Sequence, residues 1–149
     1  MSEFLDPLDV RKTGWNDGRQ TWITLAPMRY ASEALGGIVT VPAEFVTDLA
    51  STPRFLLTWM IAGGRAPRPA VVHDLLYQHP AWEDRGLADT ILREAMEADP
   101  MSGTGSFSEF SIYLGVRIGG WWAWRNNKAR ATTLNPVWSA ANWPHLDTK

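Results

Sequence analysis

The sequence predicts an α+β domain in which a small antiparallel β element from the first third packs on a three- to four-helix bundle with a central helical hairpin. The β element is indicated by short β-branched and aromatic stretches around the Gly36-Gly37 turn. The hairpin is indicated by two stretches of helical periodicity within residues 67–96, on either side of His79-Pro80. Because proline cannot continue a helix interior, the second stretch is expected to fold back on the first.

The elements are predicted in order from periodicity and from turn residues. A Ser51 or Thr52 cap before Pro53 is a typical helix start, and Asp99-Pro100 is a typical end. Apolar residues alternate over residues 20–30 and predict a strand that ends near Pro27, and a second strand is predicted over residues 38–41. Helices are predicted over residues 55–61, on both sides of His79-Pro80 with the second over 86–98, and over residues 107–124.

The chain has 149 residues, which fits one globular domain over residues 20–125 with an N-terminal arm (1–19) and a Trp-rich C-terminal tail (126–149). The arm is polar, and it is expected to lack regular structure. The 9 Trp residues indicate burial in a core or at an interface.

Composition excludes several classes of function. The absence of Cys rules out disulfides and thiolate metal sites. The net charge of −2 gives no general electrostatic attraction to nucleic acid, and no nucleic-acid partner is expected. Charged residues such as Asp6, Asp9, Arg11 and Lys12 interrupt the N-terminal region, so neither a signal peptide nor a transmembrane segment is predicted.

The predicted hairpin brings chemically useful side chains together. If it is centred near Ala81, His73 on the first helix faces Asp89 on the second, and Tyr77 lies one turn from His73. A carboxylate that holds one nitrogen of a histidine leaves the other nitrogen available as a general base. The catalytic candidates are therefore His73, Asp89 and Tyr77.

A cation site is also predicted beside the histidine. Asp74 points about 100° away from His73 around the helix, and Asp48 lies upstream in a turn-like segment. With the carbonyls of Gly63-Gly64, these carboxylates offer the oxygen ligands that calcium or another divalent cation prefers.

Structural alternatives remain open for both sites. A buried histidine satisfied by an aspartate and a tyrosine also fixes the register of two helices. Asp48 is also the kind of carboxylate that accepts backbone amides in a turn. A Ser51–His73–Asp89 triad is disfavoured, because Ser51 lacks the Gly-x-Ser-x-Gly context and suits a helix cap.

Four motifs occur in order along the chain: Thr47-Asp48-Leu49-Ala50-Ser51 with Pro53-Arg54, His73-Asp74-Leu75-Leu76-Tyr77, Ala88-Asp89, and Val116-Arg117 with Gly119. In this combination they resemble a family of uncharacterised proteins encoded by tailed phages and prophages. The resemblance runs from about Trp22 to Trp124, and Glu44 stands where the family more often has Gly. The resemblance implies a phage or prophage origin and no established activity.

The His-Asp-x-x-Tyr motif, with an Asp on the next helix, is also similar to the catalytic pair of calcium-dependent secretory phospholipases. That likeness implies that His73 activates water, Asp74 ligates calcium, and Tyr77 and Asp89 orient His73. The phospholipases have a Gly-rich calcium loop and many disulfides, whereas this chain has only Gly63-Gly64 and no Cys.

Two functions are expected on these grounds. The first is a phage-encoded component of the virion tail or neck, which contacts other virion subunits and is found in the virion or in the host cytoplasm during assembly. The second is a cation-dependent hydrolase, a phospholipase-like esterase that acts on host envelope lipid with His73 as general base. The two are compatible, because a virion component can carry an envelope-degrading site.

Overall fold

The computed structural model of the chain describes residues 1–16, 18–48, 68–79, 82–99, 124–125, 134–135 and 147–148. This part of the chain contains seven strands in two antiparallel sheets and two helices with defined bounds. The strands are β1 (Glu3–Phe4), β2 (Val10–Asn16), β3 (Arg19–Thr24), β4 (Met28–Ser32), β5 (Gly37–Val41), β6 (Val46–Thr47) and β7 (Asp147–Thr148). The helices are α1 (Arg68–Gln78) and α2 (Arg85–Ala98).

The two sheets are built from hairpins along the chain. The first sheet has the order β1-β4-β5-β7, and the second has the order β2-β3-β6. The β2–β3 turn contains Gly18 at φ 72°, and the β4–β5 turn contains Gly36 at φ 69°. Both glycines therefore adopt the left-handed conformation that side chains with a Cβ disfavour.

Glu44 also has a left-handed backbone, with φ 64°. Its amide donates a 2.8 Å hydrogen bond to the Thr24 carbonyl, which fixes the chain between β5 and β6. For a residue with a Cβ, this conformation costs about 1–2 kcal/mol. A glycine at this position would adopt the same backbone without that cost.

The helices pack against each other in opposite directions. Arg68 at the start of α1 binds Asp99 just after α2 with two hydrogen bonds, Nε to Oδ2 at 3.1 Å and Nη2 to Oδ1 at 2.5 Å. The same guanidinium lies 4.6 Å from the ring centroid of Phe4 in β1. Helix α2 begins after Asp84, whose side chain accepts the Leu87 amide at 2.8 Å.

Helix α1 is the central element of the core. Every residue from Pro69 to Gln78 is buried, as expected for a helix covered on all sides. It contacts β5 and β6, whereas the amphipathic α2 contacts β1 and β4. The largest side chains of the core come from β4, from the residue before β6 and from both helices, and they include Met28, Tyr30, Phe45, Leu75, Leu76, Tyr77 and Ile91.

The predicted three- to four-helix bundle is wrong. The described residues contain two helices beside seven strands, so this part of the chain is mostly β. Part of the β structure comes from the polar arm, where β1 pairs with β4 and β2 pairs with β3. Strand β2 carries consecutive exposed residues from Arg11 to Thr13, so it lacks the period-two pattern by which strands are recognised.

Other predictions fare differently. The predicted second hairpin helix over residues 86–98 is confirmed within one residue by α2, and the predicted strand over 38–41 is confirmed by β5. The predicted helices over 55–61 and 107–124 lie outside the described residues, except for Trp124. In the predicted tail, Leu134 and Asn135 are buried, and β7 pairs with β5.

Candidate functional site

The centre of the candidate site is a buried histidine and aspartate on facing helices. His73 Nε2 on α1 lies 3.0 Å from Asp89 Oδ1 on α2, and both side chains are fully buried. The Tyr77 hydroxyl donates to the same aspartate oxygen at 2.5 Å. The predicted pairing of His73 with Asp89 is therefore confirmed as geometry, while the catalytic roles of the residues stay predictions.

The hydrogen bonds determine where the imidazole carries its proton. Although burial opposes its charge, the hydrogen bonds from His73 and Tyr77 hold the pKa of Asp89 below its usual range. Asp89 is thus an ionised acceptor, and His73 must donate Nε2–H to it. Burial lowers the pKa of His73 despite the opposing effect of Asp89, so the ring is neutral. Its lone pair is then on Nδ1, which is buried and has no hydrogen-bond partner among the described residues.

Aromatic contacts hold the site in place. The Tyr77 ring lies 4.0 Å from His73, centroid to centroid, and the edge of Trp124 meets Tyr77 at 4.9 Å with an interplanar angle of 88°. These contacts limit the rotamers of Tyr77 and His73. Because His73 has no exposed surface, a reactant reaches Nδ1 only when the residues that cover the site move.

Arg85, which the hairpin centred near Ala81 places opposite Tyr77, adds a positive charge to the site beside Asp89. Its Nε lies 4.0 Å from Asp89 Oδ2, and its side chain is 22% exposed. The positive charge of Arg85 contributes to lowering the pKa of Asp89, and it contributes to lowering the pKa of His73 as well. The sequence does contain a signal, because Arg85 and Asp89 are four residues apart on one helix.

One of the predicted cation ligands, Asp74, lies in a neighbouring polar cluster. Asp74 is fully buried, and its Oδ2 accepts hydrogen bonds from the Thr47 hydroxyl of β6 and from Gln78 Nε2, the latter at 2.8 Å. Asp48, directly after β6, is 1% exposed. Two donors already bind Asp74 Oδ2, so this carboxylate connects α1 to β6.

These residues alone do not complete a calcium centre. Calcium takes six to eight oxygen ligands, whereas no group of three or more His, Cys, Asp or Glu suited to a metal exists among the described residues. The predicted carbonyl ligands of Gly63-Gly64 lie outside that part of the chain. The described geometry therefore supplies two candidate carboxylates, Asp48 and Asp74.

Asn135 extends the same cluster to the C-terminal region, a role that the sequence did not indicate. Its Oδ1 accepts the Val46 amide, and its Nδ2 donates to the Val46 carbonyl and to Gln78 Oε1, each at 2.8 Å. Asn135 thus pairs with the outer edge of β6 as a neighbouring strand would. No local pattern predicts it, because its partners lie 89 and 57 residues away.

Comparison with known proteins identifies the class of the chain. Residues 22–116 match the family described as "Protein of unknown function (DUF1353)". The match covers more than half of the chain and contains every candidate residue, so the chain belongs to the DUF1353 family. No curated protein and no solved structure matches it. The prediction of membership in an uncharacterised family is confirmed.

The helices were also compared with the requirements of a membrane span. Neither α1 nor α2 is long and apolar enough to cross a bilayer, and no other helix among the described residues is.

Proposed function

We propose that the chain carries a hydrolase site in which His73 is the general base. The observation that supports this most directly is the asymmetric state of the imidazole. Nε2 is hydrogen-bonded to Asp89, whereas Nδ1 has a lone pair and no partner among the described residues. A neutral histidine with a fixed tautomer and one available nitrogen is suited to accept a proton from water.

The proposed chemistry is ester hydrolysis. Nδ1 removes a proton from water as the water oxygen attacks the ester carbonyl carbon, and the imidazolium that forms is stabilised by the ionised Asp89. When the tetrahedral intermediate collapses, the carbon–oxygen bond of the leaving alcohol breaks and Nδ1–H returns the proton to that oxygen. Tyr77 is a positioning residue, because its hydroxyl holds the aspartate oxygen that binds the ring.

The substrate class that we propose is an ester lipid of the host envelope. The likeness of His73, Asp74, Tyr77 and Asp89 to the catalytic pair of secretory phospholipases supports this choice. The proposal extends to a divalent cation, with calcium as the first candidate, near Asp48 and Asp74. When bound, such a cation would polarise the ester carbonyl and stabilise negative charge on its oxygen.

The proposed setting is a phage-encoded component of the virion tail or neck, with other virion subunits as partners. The motif resemblance to proteins of tailed phages and prophages supports this setting. Detection of the chain in purified virions would support this assignment, and its consistent absence from them would contradict it.

The proposed hydrolase is tested with a short-chain phospholipid as a soluble substrate. We expect His73→Gln to reduce hydrolysis by about 10²–10⁴-fold, which is the usual contribution of a general base. The matched control is His79→Gln, which removes a histidine outside α1. Circular dichroism and thermal unfolding verify that both variants are folded.

The same assay also tests whether hydrolysis requires the proposed cation. Wild type and Asp74→Asn are assayed with calcium and with a chelator, and we expect calcium to raise hydrolysis in the wild type only. A calcium-independent rate overturns the cation assignment and leaves the base intact. A wild-type rate no higher than that of His73→Gln in every condition contradicts the proposed hydrolase.

A further inference from the structure

The β2–β3 hairpin exposes a large aromatic ring far from the candidate site in sequence. Trp15 lies near the end of β2, next to the turn at Gly18, and it is 73% exposed. Most other large apolar side chains in the described part of the chain are buried or half-buried. Most of the indole surface of Trp15 is therefore available for a contact outside the chain.

Strand register places Trp15 on the same face as a tryptophan and a lysine. Trp15 pairs with Gln20 and Lys12 pairs with Trp22. Gln20 and Trp22 are two residues apart in β3 and therefore share a face. The Lys12 ammonium lies 5.2 Å from the Trp22 ring centroid, a cation–π contact. Trp22 is half-buried and packs against the hydrophobic core, so the exposed side chains on this face are those of Trp15 and Lys12. We call Lys12, Trp15 and Trp22 the hairpin face.

The hairpin differs in charge from the rest of the chain. Residues 10–24 contain three basic residues and one acidic residue, whereas the whole chain has a net charge of −2. Lys12 is exposed on the hairpin face, and Arg11 is exposed on the opposite face of β2. An anionic surface is therefore the complementary partner of this hairpin, although the protein as a whole is weakly acidic.

We propose that the hairpin face binds an anionic phospholipid bilayer, with Trp15 inserted at the headgroup level and with Lys12 near lipid phosphates. An indole has an apolar body and a polar N–H, which suits the boundary between hydrocarbon and water. Lysine adds an apolar stem and a charged end that reaches the phosphates. Each basic residue near such a surface adds attraction that falls off within a Debye length.

Other classes of partner fit these residues less well. Lysine is depleted in protein–protein interfaces, and one exposed indole does not form the apolar centre that such interfaces have. Single-stranded nucleic acid needs several aromatic rings on which bases stack, along a basic groove. Here Lys12 already occupies one side of Trp22, so Trp15 is the one freely exposed ring of the hairpin face.

The sheet connects this face to the candidate catalytic site. Trp22 pairs with Lys12 on one side and with Thr47 on the other, so the three residues form one row across the sheet. The Thr47 hydroxyl donates to Asp74, the residue after His73. Lys12 and Thr47 are two strand spacings apart, about 10 Å. Thr47 is fully buried against Asp74 of α1, so a bilayer can meet only the Lys12 end of this row. The link from this row to Asp74 matters only if the proposed hydrolase function holds, whereas bilayer binding does not depend on it.

Vesicle flotation tests the proposal with the full chain and with ether-linked lipids, which contain no ester to hydrolyse. The probes are vesicles of phosphatidylglycerol and vesicles of phosphatidylcholine. We expect the wild type to float with phosphatidylglycerol only, and less so as salt rises. Trp15→Ala should weaken partitioning by about tenfold, and Lys12→Gln by about fivefold.

Two control variants match these changes elsewhere on the surface. Leu25→Ala shortens an exposed apolar side chain just after β3, and Arg93→Gln removes an exposed charge on α2. Both should bind vesicles as the wild type does. Equal binding to both kinds of vesicle, no binding to either, or a Trp15→Ala variant that partitions like Leu25→Ala would overturn the proposal.

The outcome is separable from that of the hydrolase assay. Flotation without hydrolysis of the short-chain lipid overturns the proposed hydrolase alone. Hydrolysis of that lipid without flotation overturns the proposed bilayer contact alone.

Discussion

Asp89→Ala is expected to lower the free energy of unfolding by about 3–5 kcal/mol, the largest effect of any single change considered for this chain. The aspartate accepts hydrogen bonds from His73 and Tyr77, and it lies 4.0 Å from Arg85. Its removal leaves two buried donors and a partly buried guanidinium without their acceptor. Urea unfolding followed by circular dichroism measures the change.

Thr90→Ala is the matched control for Asp89→Ala. It removes an exposed hydroxyl from the next position of the same helix. The free energy of unfolding should change by no more than about 0.5 kcal/mol. If Asp89→Ala is too unstable to purify, Asp89→Asn retains an acceptor oxygen and should lose roughly 1–3 kcal/mol. An Asp89→Ala protein as stable as Thr90→Ala would mean that the buried cluster contributes nothing to the fold.

Glu94→Gln should cost roughly 2 kcal/mol of stability, in the range for hydrogen bonds to a charged group. The Glu94 carboxylate on α2 accepts hydrogen bonds from the Ser2 hydroxyl, the Tyr30 hydroxyl at 3.0 Å and the Ser32 hydroxyl at 3.3 Å. It also accepts the amides of Glu33 and Ala34, each at 2.8 Å. The substitution replaces one acceptor oxygen by an NH₂ group that faces these donors, so part of the cluster would become repulsive.

The effect of Glu94 depends on pH in a defined direction. Although burial alone would raise it, the pKa of Glu94 is held below its usual range by hydrogen bonds from Ser2, Ala34 and Glu33. The carboxylate therefore stabilises the fold above its unfolded pKa of about 4.3, and this contribution is lost as the pH falls through the lower folded pKa. The difference in the free energy of unfolding between wild type and Glu94→Gln should therefore shrink as the pH falls over that range.

Glu97→Gln is the control for Glu94. Glu97 is exposed and pairs with Arg93 on the same helix at 2.9 Å, so its replacement should cost less than about 1 kcal/mol. A Glu94→Gln protein that loses no more stability than Glu97→Gln, or a difference that grows on acidification, contradicts the assigned role.

The histidine site could be predicted because it depends on short-range features. A proline break after His79 and two helical stretches of similar length are visible in the sequence, and together they set His73 against Asp89. The one-turn spacing of His73 and Tyr77 gave the second donor to the same carboxylate. The fully buried state of His73 was not predictable, because it depends on elements far away in the chain.

The β structure and the Glu94 cluster depend on long-range pairing instead. Strand β2 has no alternating apolar pattern, and it becomes a strand because β3 offers it a partner. Glu94 looks like an ordinary solvated residue of an amphipathic helix, yet its partners lie between 60 and 92 residues away. Asp74 also depends on a distant partner. The His-Asp motif predicts it as a cation ligand, but its carboxylate accepts a hydrogen bond from Thr47, which no local pattern indicates.

The state of the His73 imidazole is the central claim, and ¹⁵N NMR of the side chain tests it most directly. The His73 signals are assigned by their loss in His73→Gln. We predict a neutral ring at pH 7 with the proton on Nε2 and an unprotonated Nδ1, which stays neutral below the ordinary histidine pKa of about 6.5. A ring protonated on Nδ1 alone, or a charged imidazolium at pH 7, would contradict the assignment of His73 as a general base.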